Sequence, residues 1–408
     1  MSTTFKFGAG KWAAKAGSVL AYNDLNNNFK PLPFTFTRAS SATRVNESGL
    51  IEIVASGVPR IDYLDNADGH LLLEPSRTNL FSYSNDFSNA AWTKSAVTMT
   101  SASSISPDGT NNAWKIQGDG TSTTVRVYET ETLTANTTHY LSVFAKKGTN
   151  NYLRFLFSSF DGSSSAGYDL NAGTATGNNA SIVDYGNGWY KCILFANITS
   201  PDVSGTINIY LTKSDTVTAF DDNTEAANAY AYIYGAQLEA GSYATSYIPT
   251  SGSAVTRAAD NASQTPPSGV IGQTEGTLFV KFNADGLSTA ARAIVYITQD
   301  STTANRIAMQ YTAGGQVQAI ASRAGVTQGS VVHTITGLCK AAFAYSASGY
   351  ELFINGSSIG TFSGSLPVSL LKIDLGNITS LATMGGSLSQ VQLYNTRLSS
   401  SQLKSLTS

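Results

Sequence analysis

The sequence predicts an all-β protein, with two antiparallel jelly-roll or β-sandwich domains in series behind an N-terminal arm. Three observations favour this fold class. Only 13% of the 408 residues are charged, about half the ~25% of an ordinary globular chain. The chain has 20 Tyr and 18 Phe but only 4 Met, and aromatic residues favour strands. Short apolar runs recur between clusters of Gly, Asn, Asp and Ser, which is typical of an antiparallel sandwich.

Composition also excludes several classes of partner. The net charge is −2, and no basic stripe is present of the kind that binds nucleic acid. No apolar run approaches the ~20 residues of a membrane span. The N-terminus MSTTFKFGAG lacks the apolar core of a signal peptide. We therefore expect no nucleic acid partner and no membrane insertion. The two cysteines, Cys192 and Cys339, fall in different predicted domains and are expected to be small buried side chains.

The predicted domain boundaries follow Pro, Gly and Ser. Residues 1–75 are interpreted as an arm with short strands, ending at Pro75, which cannot donate to a sheet ladder. Residues 76–250 form the first jelly-roll. Residues 251–274, rich in Ser, Thr and Ala around two prolines, are predicted to be a linker. Residues 275–408 form the second sandwich.

The N-terminal arm is predicted from its exposed-looking aromatic residues. Phe5, Phe7 and Trp12 would normally seek a partner surface, which favours an attachment or trimerisation arm, and a flexible terminus is the alternative. Extended segments follow Pro31. Three arginines of this region, Arg38, Arg44 and Arg60, are interpreted as surface or strand-edge residues, and a site for an acidic sugar is the alternative.

The first jelly-roll is predicted from five β-rich runs separated by turn-forming clusters. These runs are Tyr140–Ala145, Tyr152–Ser158, Trp189–Ala196, Thr206–Leu211 and Ala229–Leu238.

The second sandwich carries clear hairpin signals. Arg306–Tyr311 and Gln316–Ala321 alternate and are joined through two glycines. Asn355-Gly356 is a strong type I′ turn signal. Near the C-terminus, Ser399 or Ser400 can cap a short helix.

A search for catalytic groups predicts no enzyme. Gly356–Gly360 matches G-x-S-x-G by letter, but it lies in a predicted hairpin turn rather than a strand-to-helix elbow. The three histidines fall in separate predicted units, which argues against a triad. Glu129 and Glu131 share one face of a predicted strand and could act as a glycosidase pair. The alternative is an exposed strand edge, which we favour.

Four segments carry a family resemblance: Thr37–Tyr63, Leu71–Lys94, Gly186–Cys192 and Tyr234–Arg257. Together they resemble a carbohydrate-binding-like domain of tailed-bacteriophage structural proteins, over roughly residues 35–260. The C-terminal third, with GTLFVKF, YELFINGSSIG and GSLSQVQLYNTRLSSSQLKSL, resembles concanavalin A-like, laminin-G-like domains.

The resemblance implies a virion fibre or spike on a phage particle, assembled in the bacterial host cytoplasm. It implies an adhesin for host surface glycans, a homotrimer, and contacts with other virion proteins through the N-terminal arm. Two alternatives stay open. One is a purely structural head or tail decoration without an essential ligand. The other is a polysaccharide depolymerase that uses Glu129 and Glu131.

The candidate glycan-binding residues are aromatic, because sugars stack on exposed rings. Trp92, Tyr168 and Tyr185 are the sequence-based candidates, while Trp114 and Trp189 complete the set. The resemblance also implies a structural calcium ion in related jelly-rolls, and Asp86 is the candidate ligand. The last strand has Tyr234-Gly235-Ala236 where the family has an acid. Other loop acids that could contribute are Asp161, Asp221 and Asp222.

Overall fold

A computed structural model describes residues 3–10, 12–23, 30–122, 124–215, 228–284, 292–312, 314–378 and 384–408. The chain divides into two compact units. Unit 1 comprises residues 1–47, 53–76 and 258–408, and unit 2 comprises residues 48–52 and 77–257. Unit 2 is therefore inserted into the sequence of unit 1. Within the described residues no helix is long and apolar enough to cross a membrane.

The strands of the N-terminal 79 residues are, in chain order, β1 (Phe5–Gly8), β2 (Ala14–Lys15), β3 (Ser18–Val19), β4 (Ala21–Asn23), β5 (Lys30–Pro31), β6 (Phe34–Thr37), β7 (Ala42–Val45), β8 (Ile51–Val54), β9 (Ile61–Asp62), β10 (His70–Leu73) and β11 (Arg77–Asn79).

The strands that follow in unit 2 are β12 (Thr93–Ser95), β13 (Val97–Ser104), β14 (Ala113–Gly118), β15 (Val125–Thr132), β16 (Thr137–Lys147), β17 (Tyr152–Ser158), β18 (Ser164–Asp169), β19 (Thr174–Thr176), β20 (Ala180–Asp184), β21 (Trp189–Ile198), β22 (Ser204–Thr212), β23 (Tyr230–Ala240) and β24 (Val255–Arg257).

The C-terminal elements, all in unit 1, are β25 (Asn261–Gln264), β26 (Glu275–Ala284), β27 (Arg292–Thr298), β28 (Arg306–Tyr311), β29 (Gln316–Arg323), β30 (Val326–Thr334), β31 (Leu338–Ser346), β32 (Gly349–Ile354), β33 (Ser357–Phe362), β34 (Lys372–Leu375), β35 (Gly386–Tyr394) and the helix α1 (Ser400–Thr407).

Unit 1 is a sandwich of two antiparallel sheets. Sheet I has the order β33-β32-β31-β26-β35-β1-β4-β5, with β10 pairing β35 and β9. Sheet II has the order β2-β3-β6-β25-β34-β27-β28-β29-β30. Buried side chains from both sheets share one core, in which Phe7 and Phe343 come from sheet I while Phe36 and Met309 come from sheet II. Burial of this apolar surface is the main force holding the two sheets together.

The N-terminal residues are part of this sandwich, which corrects the predicted arm. Strand β1 pairs with β35, with Phe5 opposite Leu393 and Phe7 opposite Val391, and β10 pairs with the other end of β35. Phe5 and Phe7 are buried, and Trp12 packs edge-on against Phe7 at a centroid distance of 5.4 Å. The aromatic residues that predicted an arm therefore fill the core of unit 1.

The predicted boundaries differ from the observed units at the linker as well. Strand β24 pairs with β11, with Arg77 opposite Arg257. Strand β25 pairs with β6 and β34. Residues 251–274 thus contribute strands to both units rather than spacing two domains apart.

Unit 2 is also a two-sheet antiparallel sandwich. Sheet III has the order β12-β15-β22-β17-β18-β19, and sheet IV has the order β13-β14-β23-β16-β21-β20. Their facing side chains form a second core, with Val127 and Phe155 from sheet III against Ile116 and Leu141 from sheet IV. The all-β prediction is confirmed in both units.

Several local predictions are confirmed. The hairpin of β32 and β33 turns at Asn355 (φ 46°) and Gly356 (φ 81°), as a type I′ turn requires. No helix follows that turn, so G-x-S-x-G is not a nucleophile elbow. Ser399 caps α1 in a capping box with Gln402. Both cysteines are free and buried.

A buried ion network lies beside the points where the chain leaves and re-enters unit 1. Arg60 pairs with Glu74 at 2.6 Å and with Asp260, and Arg38 pairs with Asp260 at 3.1 Å. Asp260 also accepts a hydrogen bond from the Glu74 amide at 2.9 Å. Arg38 and Arg60 are therefore internal structural groups. They are unavailable to an acidic sugar, the alternative considered for them with Arg44.

Candidate functional site

The outward face of sheet III is polar and aromatic because its central strands alternate strictly. Val125 and Val127 of β15 point into the core of unit 2, so Arg126 and Tyr128 point outward. The same alternation holds in β22, where isoleucines flank Asn208, and in β17, where Leu153 and Phe155 flank Arg154. Five side chains of this face are called the Arg–Tyr face below: Arg126, Tyr128, Arg154, Asn208 and Tyr210.

Strand register brings three of these residues into one row. Arg126 of β15 and Arg154 of β17 each lie directly opposite Tyr210 of β22. The Arg126 guanidinium carbon lies 5.6 Å from the Tyr210 ring centroid, and that of Arg154 lies 6.0 Å from it. Both distances are within the range of a cation–π interaction. Tyr210 is thus held between two positive charges.

The next row adds an aromatic face and an amide. Tyr128 lies opposite Asn208, and the Arg126 guanidinium lies 4.5 Å from the Tyr128 ring centroid. Arg126 Nη1 donates to Asn208 Oδ1 and to Tyr210 Oη, each at 3.0 Å. Asn208 and Tyr210 are buried, whereas Arg126 and Tyr128 are half-buried. The buried pair therefore fixes the position of the two more accessible side chains.

After β22 the described chain, up to Asp215, lies against β18. A Cβ atom added at Gly167 of β18 would lie 1.9 Å from the Asp215 carbonyl oxygen, so only glycine permits this approach. Asp215 Oδ2 accepts a hydrogen bond from Thr176 at 2.7 Å. Asp169 Oδ1 accepts from the amides of Asn171 and Ala172. Both of these acids are thus engaged in local bonds.

Two of the sequence-based aromatic candidates are core residues. Trp92 is 1% exposed, and its indole nitrogen donates to the Tyr83 carbonyl at 2.8 Å. Tyr168 is fully buried and donates to the Ile193 carbonyl at 2.6 Å. Neither ring can stack on a sugar, because both side chains fill the interior of unit 2. Trp114 and Trp189 are likewise buried.

Tyr185, the third candidate, is half-buried on sheet IV's side of the unit. Its ring packs edge-on against Phe144 at a centroid distance of 4.9 Å. The structure does not bring Tyr185 together with Trp92 and Tyr168 in one surface, since those two rings lie in the core.

Asp86, the candidate calcium ligand, lies in an exposed turn of unit 2. Its Oδ1 accepts hydrogen bonds from the amide and the hydroxyl of Ser88, which is a turn-forming role. No group of three or more His, Cys, Asp and Glu residues is placed to hold a metal ion within the described part of the chain. Of the alternative ligands, Asp161 belongs to no such group, and Asp221 and Asp222 lie outside the described residues.

Glu129 and Glu131 share one strand face, as predicted, but it is the inward face that continues Val125 and Val127. Burial, together with the charge of Glu131 and a hydrogen bond to it, raises the pKa of Glu129 to about 8. Burial also raises the pKa of Glu131. Glu129 is only 4% exposed, so this carboxyl pair is not presented to a polysaccharide on the outer surface.

Sheet II of unit 1 has a comparable outward face whose groups are more fully satisfied. Tyr296 donates to Gln310, Gln310 donates to Gln318 at 2.7 Å, and Gln318 donates to Ser330 at 3.0 Å. Arg306 lies over the Tyr296 ring at 5.7 Å and donates to Ser322. These side chains satisfy one another's hydrogen bonds, which suits a structural role.

Comparison with known proteins shows limited likeness. No protein-family model matches the chain, and no curated protein matches it. Among solved structures, the CBM40 of Ruminococcus gnavus IT-sialidase bound to alpha2,6 sialyllactose is 17% identical, with a TM-score of 0.29. That match covers 34% of this chain and 85% of the module.

Two further structures are similar at the same level. Domain 4 of AbnA, a GH43 extracellular arabinanase from Geobacillus stearothermophilus in complex with arabinotriose, is 13% identical with a TM-score of 0.31, covering 37% of this chain and 73% of that domain. Domains LG4-5 of the mouse laminin alpha1 chain are 11% identical with a TM-score of 0.25, covering 71% of this chain and 90% of theirs. At these scores the likenesses assign neither a ligand nor a site to this chain.

Proposed function

We propose that the chain is a non-enzymatic glycan-binding protein and that the Arg–Tyr face is its binding surface. The observation that carries this proposal is the row of Arg126, Tyr210 and Arg154, with Tyr128 and Asn208 beside it. Aromatic rings offer apolar surface to the C–H groups of a sugar, and guanidinium and amide groups offer directed hydrogen bonds to its hydroxyls. Such a mixture is typical of small-molecule sites.

The biological setting that we propose is the surface of a tailed-phage particle, assembled in the host cytoplasm, where the protein binds host glycans as an adhesin. The support is the sequence resemblance of Thr37–Tyr63 and Leu71–Lys94. A homotrimer, and repetition on the particle, would turn weak single sites into strong attachment. Because Phe5 and Phe7 are buried in unit 1, contacts with other virion proteins would use the folded surface of unit 1 rather than a free arm.

The test is glycan-array binding by the purified full chain, with binding to host cells as a second readout. We expect saturable binding by the native protein and a loss of at least about tenfold in affinity for Tyr128→Ser, since stacked aromatic rings are frequent anchors of binding. Tyr232→Ser is the matched control. Tyr232 is also half-buried, but it projects from the outer face of sheet IV, between Ala231 and Ile233 of the core.

Two outcomes would favour the alternatives. If the folded full chain binds neither the array nor host cells, the result would favour a structural decoration protein. Release of reducing sugar from host polysaccharide, abolished by Glu129→Gln with Glu131→Gln, would establish a depolymerase. The inward orientation of these carboxyls argues for unchanged, background release instead.

A further inference from the structure

Arg126 has hydrogen-bonding capacity that the described part of the chain does not use. Its Nη1 makes two hydrogen bonds, to Asn208 and Tyr210. Its Nε is buried and has no hydrogen-bond partner, and no described residue accepts from Nη2. An unpaired buried donor on a charged group is costly, and such groups often mark the place of an absent water, ion or ligand. One edge of this guanidinium is therefore poised to take an acceptor.

Among the described residues, the rows of sheet III around Arg126 carry no negative charge. The rows of sheet III around it are Arg126–Tyr210–Arg154, then Tyr128–Asn208–Leu156, then Thr130–Thr206–Ser158. None of these residues is acidic. Strands are spaced about 4.8 Å apart, so the two arginines flank Tyr210 with backbones roughly 10 Å apart. Like charges at this range repel in a partly buried setting.

No acid in the described part of unit 2 pairs with Arg126. Glu129 and Glu131 project from the opposite face of β15. Asp215 lies on the Arg154 side of the Arg–Tyr face, over the strand that pairs with β17. The unused edge of the Arg126 guanidinium is complementary to an anion.

We infer that the ligand of the Arg–Tyr face is an acidic glycan, whose sugar carboxylate is bound by the free edge of the Arg126 guanidinium. The inference rests on the proposed function and names its ligand class. A guanidinium has a planar fork of donors that matches a planar carboxylate with two parallel hydrogen bonds. Tyr128 holds the guanidinium from one side, and Asn208 and Tyr210 fix its orientation.

The experiment measures affinity of the full chain for paired probes that differ only at the carboxylate. The probes are polygalacturonate, alginate and α2,8-linked polysialate, each with its carboxyl-reduced derivative, plus dextran sulfate and neutral dextran. We expect binding to at least one carboxylated probe, at least about tenfold weaker binding to its reduced form, and weakening by salt. Tight binding to dextran sulfate alone would assign a sulfated ligand and overturn the carboxylate.

Variants locate the effect on the protein. Arg126→Gln should weaken binding of the carboxylated probe at least about tenfold, and Arg126→Lys should restore only part of the affinity because it keeps the charge but loses the fork. The control is Lys115→Gln, which removes one positive charge from the outer face of sheet IV, where Lys115 lies over Tyr230 at 5.5 Å. All variants are first compared by thermal unfolding.

The possible failures are distinguishable. Equal binding of native and carboxyl-reduced probes, or binding only to neutral glycans, would overturn the acidic ligand and leave the glycan-binding function standing. Equal losses in Arg126→Gln and Lys115→Gln would reduce the effect to overall charge and overturn the site. Silence on every probe and on the glycan array would overturn the proposed function itself.

Discussion

Glu129 couples the stability of unit 2 to pH through one buried carboxyl. Its pKa is about 8 in the folded chain, against about 4.3 in an unfolded one. Between these values the folded chain holds a proton that the unfolded chain releases. The free energy of unfolding therefore falls as pH rises from about 4.3 to 8. Glu129→Gln, which mimics the protonated form, should flatten this fall and raise stability most at pH 9.

Urea unfolding at pH 5 and pH 9 measures this effect through the midpoint concentration. Asp86→Asn is the control, because Asp86 is an exposed carboxylate of the same unit and an amide preserves its turn bonds. An unchanged difference between the two pH values in Glu129→Gln would show that Glu129 titrates normally and is not the source of the pH dependence.

Asp260 organises the buried ions of unit 1. It accepts from Arg38, Arg60 and the Glu74 amide, so Asp260→Ala would leave buried charges without their partner. We expect a loss of about 3–5 kcal/mol in the free energy of unfolding. Glu351→Ala is the comparison, because its bond to Arg397 at 3.3 Å is partly exposed and should be worth about 0–1 kcal/mol. Similar losses from both variants, measured by chemical denaturation, would contradict this difference.

Strand alternation in the sequence predicts which side chains form the Arg–Tyr face. The aromatic residues predicted to bind glycans are, by contrast, mostly core residues. VRVYETET, YLRFLFS and TINIYL all alternate, so Arg126, Tyr128 and Arg154 could have been assigned to the outer face. Their adjacency depends on cross-strand register, which no single strand encodes. Residue type makes Trp92 a candidate, and the neighbouring Gly/Asn-rich loop makes Tyr168 one, but in a sandwich large rings mostly fill the core. The unpaired Nε of Arg126 has no sequence signal.

At the scale of elements, β1 provides a test of the corrected N-terminus. Phe7 is 1% exposed and contacts the rings of Trp12 and Phe34. Phe7→Ala should lower the free energy of unfolding of unit 1 by about 3–5 kcal/mol. Val326→Ala is the control, because Val326 is 63% exposed in β30 and surface changes stay within about 0.5 kcal/mol. If Phe7→Ala leaves thermal unfolding unaltered, residues 1–10 would be a free arm rather than part of the core of unit 1.

Local pairings were predictable and distant ones were not. Alternation, together with glycines at turns that need positive φ, predicts the hairpins β28–β29 and β32–β33. The capping serine predicts the helix α1. By contrast, β1 pairs with β35 at the opposite end of the chain. Nothing in FKFG identifies that partner, because apolar alternation specifies a buried face and not the strand that completes it.

At the scale of the whole molecule, unit 2 is inserted into the sequence of unit 1, so the chain is not two domains in tandem. Unit 1 is interrupted after residue 76 and resumes at residue 258. Its two cut ends are neighbours, since the Asp260 amide donates to the Glu74 carbonyl at 3.0 Å. The ends of unit 2 are also neighbours, since Arg77 pairs with Arg257 across β11 and β24. Neighbouring ends are what domain insertion requires.

This topology predicts which fragments fold. Residues 77–257 contain all strands of sheets III and IV and should fold alone, losing only residues 48–52 of their unit. Unit 1 should fold when Ser76 is joined to Ala258 by a short Gly/Ser linker, because closing a short loop between adjacent ends costs little entropy. Cooperative thermal unfolding, together with a monodisperse profile in sedimentation, measures both outcomes.

The contrasting fragment is residues 76–408, which a tandem arrangement would make a natural two-domain piece. It lacks β1, β4, β6 and β10, so β35 and β25 lose partners and the core of unit 1 loses Phe5, Phe7 and Phe36. Exposed strand edges and apolar surface promote aggregation. We expect this longer fragment to aggregate while residues 77–257 stay soluble and folded. The reverse result would mean that residues 1–75 are dispensable and that the sandwich of unit 1 closes without them.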